Sequence, residues 1–318
     1  MSENPKPKIV VTRKIPLAVS ELLQANFNAE LNENDIPFSK KELQAALQRA
    51  DGILCTVSDQ IQKDIIQVTD RRISIISNFG VGVSNIDVKE AEKERLVVTN
   101  TPNVLTEATA EIALFLILAV SRKTTLSEDK LRRKLWKGFS IVDDLGVSLS
   151  GKTLGIVGMG RIGKATARKV KNALNMKILF YNRSKVEDKN MDGKQVQTLD
   201  ELLENSDIVS IHAPGGGDGP ILREEDILKM KPTAFLINTA RGDVIDEKGL
   251  IRALEGKKIS GAGLDVFEDE PKVPEELLSL SNVTLLPHIG SATLETREAM
   301  GFLAVNNLIA HFTDKNYP

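Results

Sequence analysis

The sequence is poor in the residues that build metal centres and disulfides. Among its 318 residues there is one cysteine, Cys55, and there are three histidines, His212, His288 and His311. A single thiol excludes an internal disulfide and a cysteine-rich metal site, and no metal is expected. Long apolar runs are also missing. The longest, IALFLILAV (Ile112–Val120), has nine residues, against about 20 for a membrane span. The opening MSENPKPKIVV has no apolar signal core ahead of a strand-like run. Charge of either sign is not in excess: 42 basic and 44 acidic residues leave a formal net charge of −2. Nothing in that balance points to a nucleic-acid or membrane partner. There is no tandem repeat and no low-complexity tract. A soluble, cytoplasmic protein is expected. Apolar residues make up 41%, and the length suits two domains, each with its own core.

What is present is an alternation of short apolar runs with amphipathic stretches. KIVVT (8–12), GILCT (52–56), ISIIS (73–77) and LVVTN (96–100) read as strands. SKKELQAALQRA (39–50) and DVKEAEKERL (87–96) lie between them and read as helices. The pattern resumes at Lys152 with TLGIVG, MKILFY, DIVSIHA, TAFLINTA, AGLDVF and VTLLP, and with the helix signal DEKGLIRALEGK (246–257). Continuously apolar strands suit parallel sheets covered on both faces. Two doubly wound α/β units are expected. Between them, Pro102 stops a strand and Thr106 opens a helix with Glu107 in its first turn. That helix is apolar around most of its circumference, so it should be buried against the other domain or a second subunit. GGGDGP (215–220) reads as a loop.

The first chemical motif is Gly158-Met159-Gly160-Arg161-Ile162-Gly163, after the strand TLGIV and at the start of a helix. The first glycine permits a tight turn, the second lets backbone approach a pyrophosphate, and the third lets helix and strand pack closely. The helix N-terminus then faces the phosphates. A NAD site carries an Asp or Glu at the end of the next strand, where it accepts from the ribose hydroxyls. Here that place holds Asn182, Arg183 and Ser184, followed by Lys185. A carboxylate would repel a 2′-phosphate, whereas Arg183 can fork onto it and Ser184 can donate to it. NADP(H) is the expected cofactor, with NAD(H) left open; a solvated basic loop is the plainer reading.

INTARGDVID holds Arg241, GAGLDVFEDEP holds Asp265 and Glu270, and LLPHIGSAT holds His288, each at the C-terminal end of an expected strand. Ligands of open α/β sheets bind at that edge. Reducing a 2-oxo acid needs a proton donor and a carboxylate clamp as well as a hydride. Imidazole titrates near neutral pH, so His288 is the natural acid. Glu270 would hold its ring and favour the imidazolium. Glu268 competes for that role. Arg241 can pair with the substrate carboxylate and polarise the carbonyl.

Together with GMGRIG, SNFGVGVSNIDV and TEATAEIALFLILA, these segments resemble the D-isomer-specific 2-hydroxyacid dehydrogenases over nearly the whole chain, and within them the glyoxylate/hydroxypyruvate reductases. The resemblance implies the same roles for Arg241, Glu270 and His288. It also implies that backbone N–H groups around Val81 and Gly82 hold the substrate carboxylate, and that Asp265 contacts the nicotinamide amide. Thr109 and Ser291 are further cofactor candidates. His212 should pack near the cofactor rather than do chemistry, and His311 should be structural. Trp136 reads either as a packed tryptophan or as one reaching an active site across a dimer.

The resemblance implies a flavodoxin-like substrate domain, residues 1–102 plus 290–318, and a Rossmann cofactor domain, residues 103–289, with the active site in the cleft between them. A homodimer is expected. The expected reaction is hydride transfer from NADPH to a small 2-oxo acid, giving the D-2-hydroxy acid. A phosphoglycerate dehydrogenase is the enzymatic alternative, although no appended regulatory domain is expected after the last helix. A formate dehydrogenase would carry glutamine in place of Glu270. A non-enzymatic dinucleotide-sensing scaffold or co-repressor remains the alternative of another class.

Overall fold

A computed structural model describes residues 5–187 and 193–313. The chain divides into two compact units, Met1–Leu105 with Ser291–Pro318, and Thr106–Gly290. The first runs three residues past Pro102 because Val104 and Leu105 pack into its core.

In the first unit the order is β1 (Lys8–Val11), α1 (Leu17–Asn26), β2 (Asn28–Glu30), α2 (Lys40–Arg49), β3 (Gly52–Thr56), α3 (Lys63–Ile66), β4 (Ile75–Phe79), α4 (Val88–Lys93) and β5 (Val97–Thr99). The strands form a parallel sheet in the order β2-β1-β3-β4-β5, the flavodoxin-like arrangement. Successive side chains leave opposite faces of a strand, so each apolar pair serves two cores. Val10, Ile53 and Ile76 meet Leu43 and Leu47 of α2. Ile9, Leu54 and Ile75 meet Val19 and Leu23 of α1. Helix starts follow side-chain caps. Ser39 and Glu42 form a reciprocal capping box on α2, and Asp87 caps α4 by accepting from the Glu90 N–H at 2.9 Å.

The second unit contains α5 (Thr106–Arg122), α6 (Thr124–Arg132), β6 (Thr153–Val157), α7 (Arg161–Leu174), β7 (Lys177–Tyr181), β8 (Lys194–Gln195), α8 (Leu199–Asn205), β9 (Ile208–Ile211), α9 (Glu224–Ile227), β10 (Phe235–Asn238), α10 (Glu247–Glu255), β11 (Gly261–Leu264), α11 (Glu275–Ser279) and β12 (Val283–Leu285). Its seven parallel strands run β12-β11-β10-β9-β6-β7-β8. The order reverses between β6 and β9, the Rossmann switch point, where a dinucleotide binds outside the carboxyl ends of the strands. The chain then returns to the first unit as α12 (Leu294–Thr313), where the Ser77 hydroxyl donates to the Ala304 carbonyl at 2.9 Å.

One strand boundary is corrected. The β4 strand begins at Ile75, not Ile73, because pairing starts opposite Gly52, the first residue of β3. Helix α5 buries part of its apolar surface within its own unit. Leu116, Ile117 and Val120 enter the core that α7 and the sheet share. Phe115 and Leu118 of the same helix stay exposed. So do Leu135, Trp136, Phe139, Ile141 and Val142 in the segment after α6. Among the described residues no helix is long and apolar enough to cross a membrane.

Candidate active site

The glycine turn has the three separate roles its spacing suggests. Gly158 has φ +94°, in the left-handed region, and a Cβ there would lie 2.8 Å from the Ala213 nitrogen. A Cβ on Gly163 would overlap the Gly158 carbonyl oxygen, so α7 can sit this close to β6 only without one. Gly160 meets nothing within 4 Å. Its Cα therefore faces open space at the N-cap of α7, where the N–H groups of Arg161, Ile162 and Gly163 have no partner earlier in the helix. The first helical bond is from the Lys164 N–H to the Gly160 carbonyl, at 3.0 Å. An open glycine beside unpaired N–H groups fits a pyrophosphate.

At the end of β7, Asn182 ties two loops together. Its Oδ1 accepts from the Met159 N–H at 3.3 Å, and its Nδ2 donates to the Ser184 carbonyl and hydroxyl at 3.1 and 3.2 Å. Asn182 thus shapes the basic loop, leaving Arg183 and Ser184 exposed beside the glycine turn. Among the described residues no carboxylate pairs with Arg183. An unpaired guanidinium at this place fits a 2′-phosphate.

The candidate reacting groups cluster in the second unit. His288 Nδ1 and Glu270 Oε2 are 2.6 Å apart, and Glu270 Oε1 accepts from the Phe267 N–H at 3.1 Å. Neighbouring Glu268 does not meet the ring; its N–H donates instead to Glu247. Burial pushes the Glu270 carboxyl up, but the His288 hydrogen bond and charge, the Phe267 N–H and the Arg241 charge together hold it below the usual carboxylate range. Glu270 is therefore an anion throughout the neutral range.

His288 itself sits at φ +53°, an uncommon conformation for a non-glycine residue. A clasp holds the backbone just after it. Both oxygens of Asp265, a buried residue at the end of β11, are engaged: Oδ1 accepts from the Ile289 N–H and Oδ2 from the Gly290 N–H, each at 2.7 Å. Burial raises the Asp265 carboxyl above its ordinary range despite those bonds. Buried Thr109 lies alongside: a Cβ on Gly290 would be 3.0 Å from Asp265 Oδ2 and 3.6 Å from the Thr109 hydroxyl. Ser291 follows, its carbonyl accepting from the Thr293 N–H at 2.9 Å.

Arg241 follows β10 in a turn shaped by buried Asn238, whose Oδ1 accepts from the Ala240 N–H and whose Nδ2 donates to the Arg241 carbonyl, at 3.0 and 2.7 Å. Sequence reading missed Asn238. Burial lowers the Arg241 pKa from its ordinary value, against the charges of Glu270 and Asp243. Among the described residues the one hydrogen bond of its guanidinium is from Nη1 to the Ala240 carbonyl, 2.6 Å. A half-buried guanidinium with so few acceptors is suited to clamp an anion. The GGGDGP loop packs on the same turn, with the Gly216 N–H donating to Asp243 at 2.6 Å.

In the first unit, half-buried Val81 and Gly82 follow β4 in a loop that passes under the side chains of Asn78 and Asn100. In the same unit His311 Nε2 lies 2.8 Å from the Ser74 hydroxyl, as a structural histidine would.

His212 ends β9 beside the glycine turn, and its Nε2 is 2.9 Å from the Ser210 hydroxyl. Burial lowers its pKa from 6.5 to about 4. Because the folded-state value lies below the unfolded one, the unfolded chain binds the extra proton, and stability falls as pH drops from 6.5 toward 4. The loss between pH 7 and pH 5 should be about 2 kcal/mol. Thermal unfolding of wild type and His212→Asn at both pH values checks this. The drop should shrink by about that amount in the variant; an equal drop in both would rule it out.

A Rossmann sheet with an open glycine turn at its switch point, and a histidine–carboxylate pair with an arginine at its carboxyl edge, define a dinucleotide-dependent dehydrogenase. Residues 114–290 match the model of the D-isomer specific 2-hydroxyacid dehydrogenase NAD binding domain. With the full-length similarities below, the chain belongs to the D-isomer specific 2-hydroxyacid dehydrogenase family and is an enzyme of that class. It is 43% identical over 311 residues to a glyoxylate reductase of Pyrococcus furiosus, covering 96% of this chain and 92% of that one. It is 42% identical over 311 residues to a glyoxylate reductase of Thermococcus litoralis, covering 96% and 93%. Among solved structures, it is similar to an NADPH-dependent glyoxylate/hydroxypyruvate reductase of Sinorhizobium meliloti in complex with NADP and malonate. The TM-score is 0.86 at 35% identity, over 97% of this chain and 94% of that one.

Proposed function

We propose that this enzyme reduces a small 2-oxo acid of the glyoxylate or hydroxypyruvate type to the D-2-hydroxy acid (achiral glycolate from glyoxylate), with NADPH as the preferred cofactor. The observation that carries the reading is the 2.6 Å contact between His288 Nδ1 and Glu270 Oε2. It engages one ring nitrogen with a carboxylate and leaves Nε2 to deliver a proton to the substrate oxygen. The names of the relatives support the substrate class.

Bound NADPH supplies the hydride. Arg241 clamps the substrate carboxylate and draws electron density from the carbonyl. His288 protonates the oxygen as negative charge develops there, and Glu270 holds the ring in place through Nδ1. Backbone N–H groups around Val81 and Gly82 hold the same carboxylate. Asp265 contacts the nicotinamide amide and also clasps the turn after His288. Thr109, Ser291 and His212 complete the cofactor surroundings. A second copy of the chain covers the apolar side chains exposed between Leu135 and Val142, which makes the enzyme a homodimer.

The test is steady-state oxidation of NADPH and of NADH at 340 nm (the nicotinamide absorbance), with glyoxylate, hydroxypyruvate, pyruvate and phosphohydroxypyruvate in turn. Fast turnover of glyoxylate or hydroxypyruvate with NADPH is expected. Activity confined to the phosphorylated acid would make it a phosphoglycerate dehydrogenase. No turnover, with dimerisation controlled by the cofactor, would favour the scaffold. In the same assay Arg183→Ala should raise the KM for NADPH about tenfold and leave that for NADH unchanged, about 1.4 kcal/mol lost from the phosphate contact. An equal effect on both cofactors would remove the 2′-phosphate role.

A further inference from the structure

Three carbonyl groups in a row are captured in the loop after β4. The Gly80 carbonyl accepts from the Thr101 N–H at 2.9 Å. The Val81 carbonyl accepts from Asn100 Nδ2 at 2.7 Å, and the Gly82 carbonyl from Asn78 Nδ2 at 2.9 Å. In a trans peptide the C=O and the following N–H point in opposite directions. Each captured carbonyl therefore sets the direction of one amide proton, on Val81, Gly82 and Val83 respectively. Among the described residues none of these three N–H groups has a protein acceptor.

The two asparagines are fixed from behind. Asn78, fully buried at the end of β4, has its Oδ1 occupied by Asn85 Nδ2 at 3.3 Å and by the Cys55 thiol at 3.5 Å. Only its Nδ2 is left to face the loop. Asn85 in turn donates to the Thr56 and Asp59 carbonyls, both at 3.1 Å. Asn100 lies just past β5, and its carbonyl accepts from Asn307 of α12 at 3.2 Å. An amide network anchored on buried Asn78 and Asn85 is costly to disturb. Its outward product is the orientation of two amide protons, those of Gly82 and Val83.

We propose that Asn78 and Asn100 are positioning residues that aim the Gly82 and Val83 amide protons at the substrate carboxylate and so set the enzyme's preference for an acid over its neutral analogues. The inference rests on the 2-oxo acid reading above. It adds two side chains that touch no substrate and act through the backbone they hold. Removing the Asn100 amide frees the 81–82 peptide to rotate, and its N–H then spends part of its time turned away. The cost falls mainly on the anion, because charge-assisted hydrogen bonds are about twice as strong as neutral ones.

The experiment compares glyoxylate with methyl glyoxylate, in which the carboxylate is esterified, using wild type and Asn100→Ala. Asn100 is half-buried, so its variant should fold. Asn100→Asp, which keeps the size but loses the donor, is the second variant if thermal unfolding shows that the first does not. The expected result is a KM for glyoxylate raised about tenfold, with the KM for NADPH and kcat on the ester unchanged, so that the acid-over-ester preference drops about tenfold. Loss of activity on acid and ester in equal proportion, or no loss on either, would overturn the positioning role. Wild-type protein that reduces no 2-oxo acid would overturn the functional reading and this inference with it.

Discussion

Replacing His288 by alanine should lower kcat for 2-oxo acid reduction about 10³-fold while leaving the dissociation constant for NADPH within a factor of two. The size follows from the proton: a positioned acid contributes about 10²- to 10⁴-fold. The selectivity follows from place. His288 bonds to Glu270 after the edge strand β12, whereas the open glycine turn and the Arg183 loop follow β6 and β7, across the sheet. The backbone of the turn is secured by Asp265 through Ile289 and Gly290, not by the imidazole, so removing the ring leaves the anchor intact. Stopped-flow absorbance for turnover and nicotinamide fluorescence titration for binding measure the two quantities separately. Loss of NADPH binding in parallel with turnover would move His288 from chemistry to cofactor recognition.

Gly242→Ala should be among the most damaging single-methyl additions in the molecule. A Cβ on Gly242 would overlap the Phe267 carbonyl carbon and its oxygen as well as the Glu268 nitrogen. These are backbone atoms, so no rotamer change relieves the clash, and one of the two chain segments must move. Overpacking of this kind costs about 3 kcal/mol. In a unit of this size that lowers Tm by roughly 6–12 °C. The displaced segments are the turn carrying Arg241 and the peptides leading to Glu270, so kcat/KM for the 2-oxo acid should fall well beyond what the surviving folded fraction explains. Calorimetry and kinetics on the same preparation check both. A variant with wild-type Tm and activity would mean that the two segments can separate freely.

How legible each part was depended on whether its physics is local. The glycine turn, the apolar strands and the helix caps at Ser39, Asp87 and Asp246 are encoded in short stretches, and the chain forms them there. The edge strands β2 and β8 went unread because NAE and KQ carry no apolar run; each is held by pairing with one neighbour, which sequence pattern does not express. Arg241, Glu270 and His288 could be found from their motifs, yet the choice between Glu270 and Glu268 needed the approach of two segments 18 residues apart. Asn78 and Asn100 were invisible for the same reason. An asparagine inside an apolar strand reads as an interruption until the carbonyl it faces is known. Asp265 was read for a ligand contact, and its grip on the Ile289 and Gly290 amides depends on a register that only the folded sheet fixes.

The division of the first unit into residues before and after the second has a consequence for biosynthesis. One of its two cores takes Ile9, Val19, Leu54 and Ile75 from the beginning of the chain and Met300, Ala304, Val305 and Leu308 from α12. On the ribosome those early residues emerge hundreds of positions ahead of the helix that covers them. The cofactor-binding unit, continuous in sequence, can complete its own core in the meantime. The nascent chain therefore carries a sheet face covered on α1's side alone through most of translation, and this is the stage at which a chaperone has something to hold.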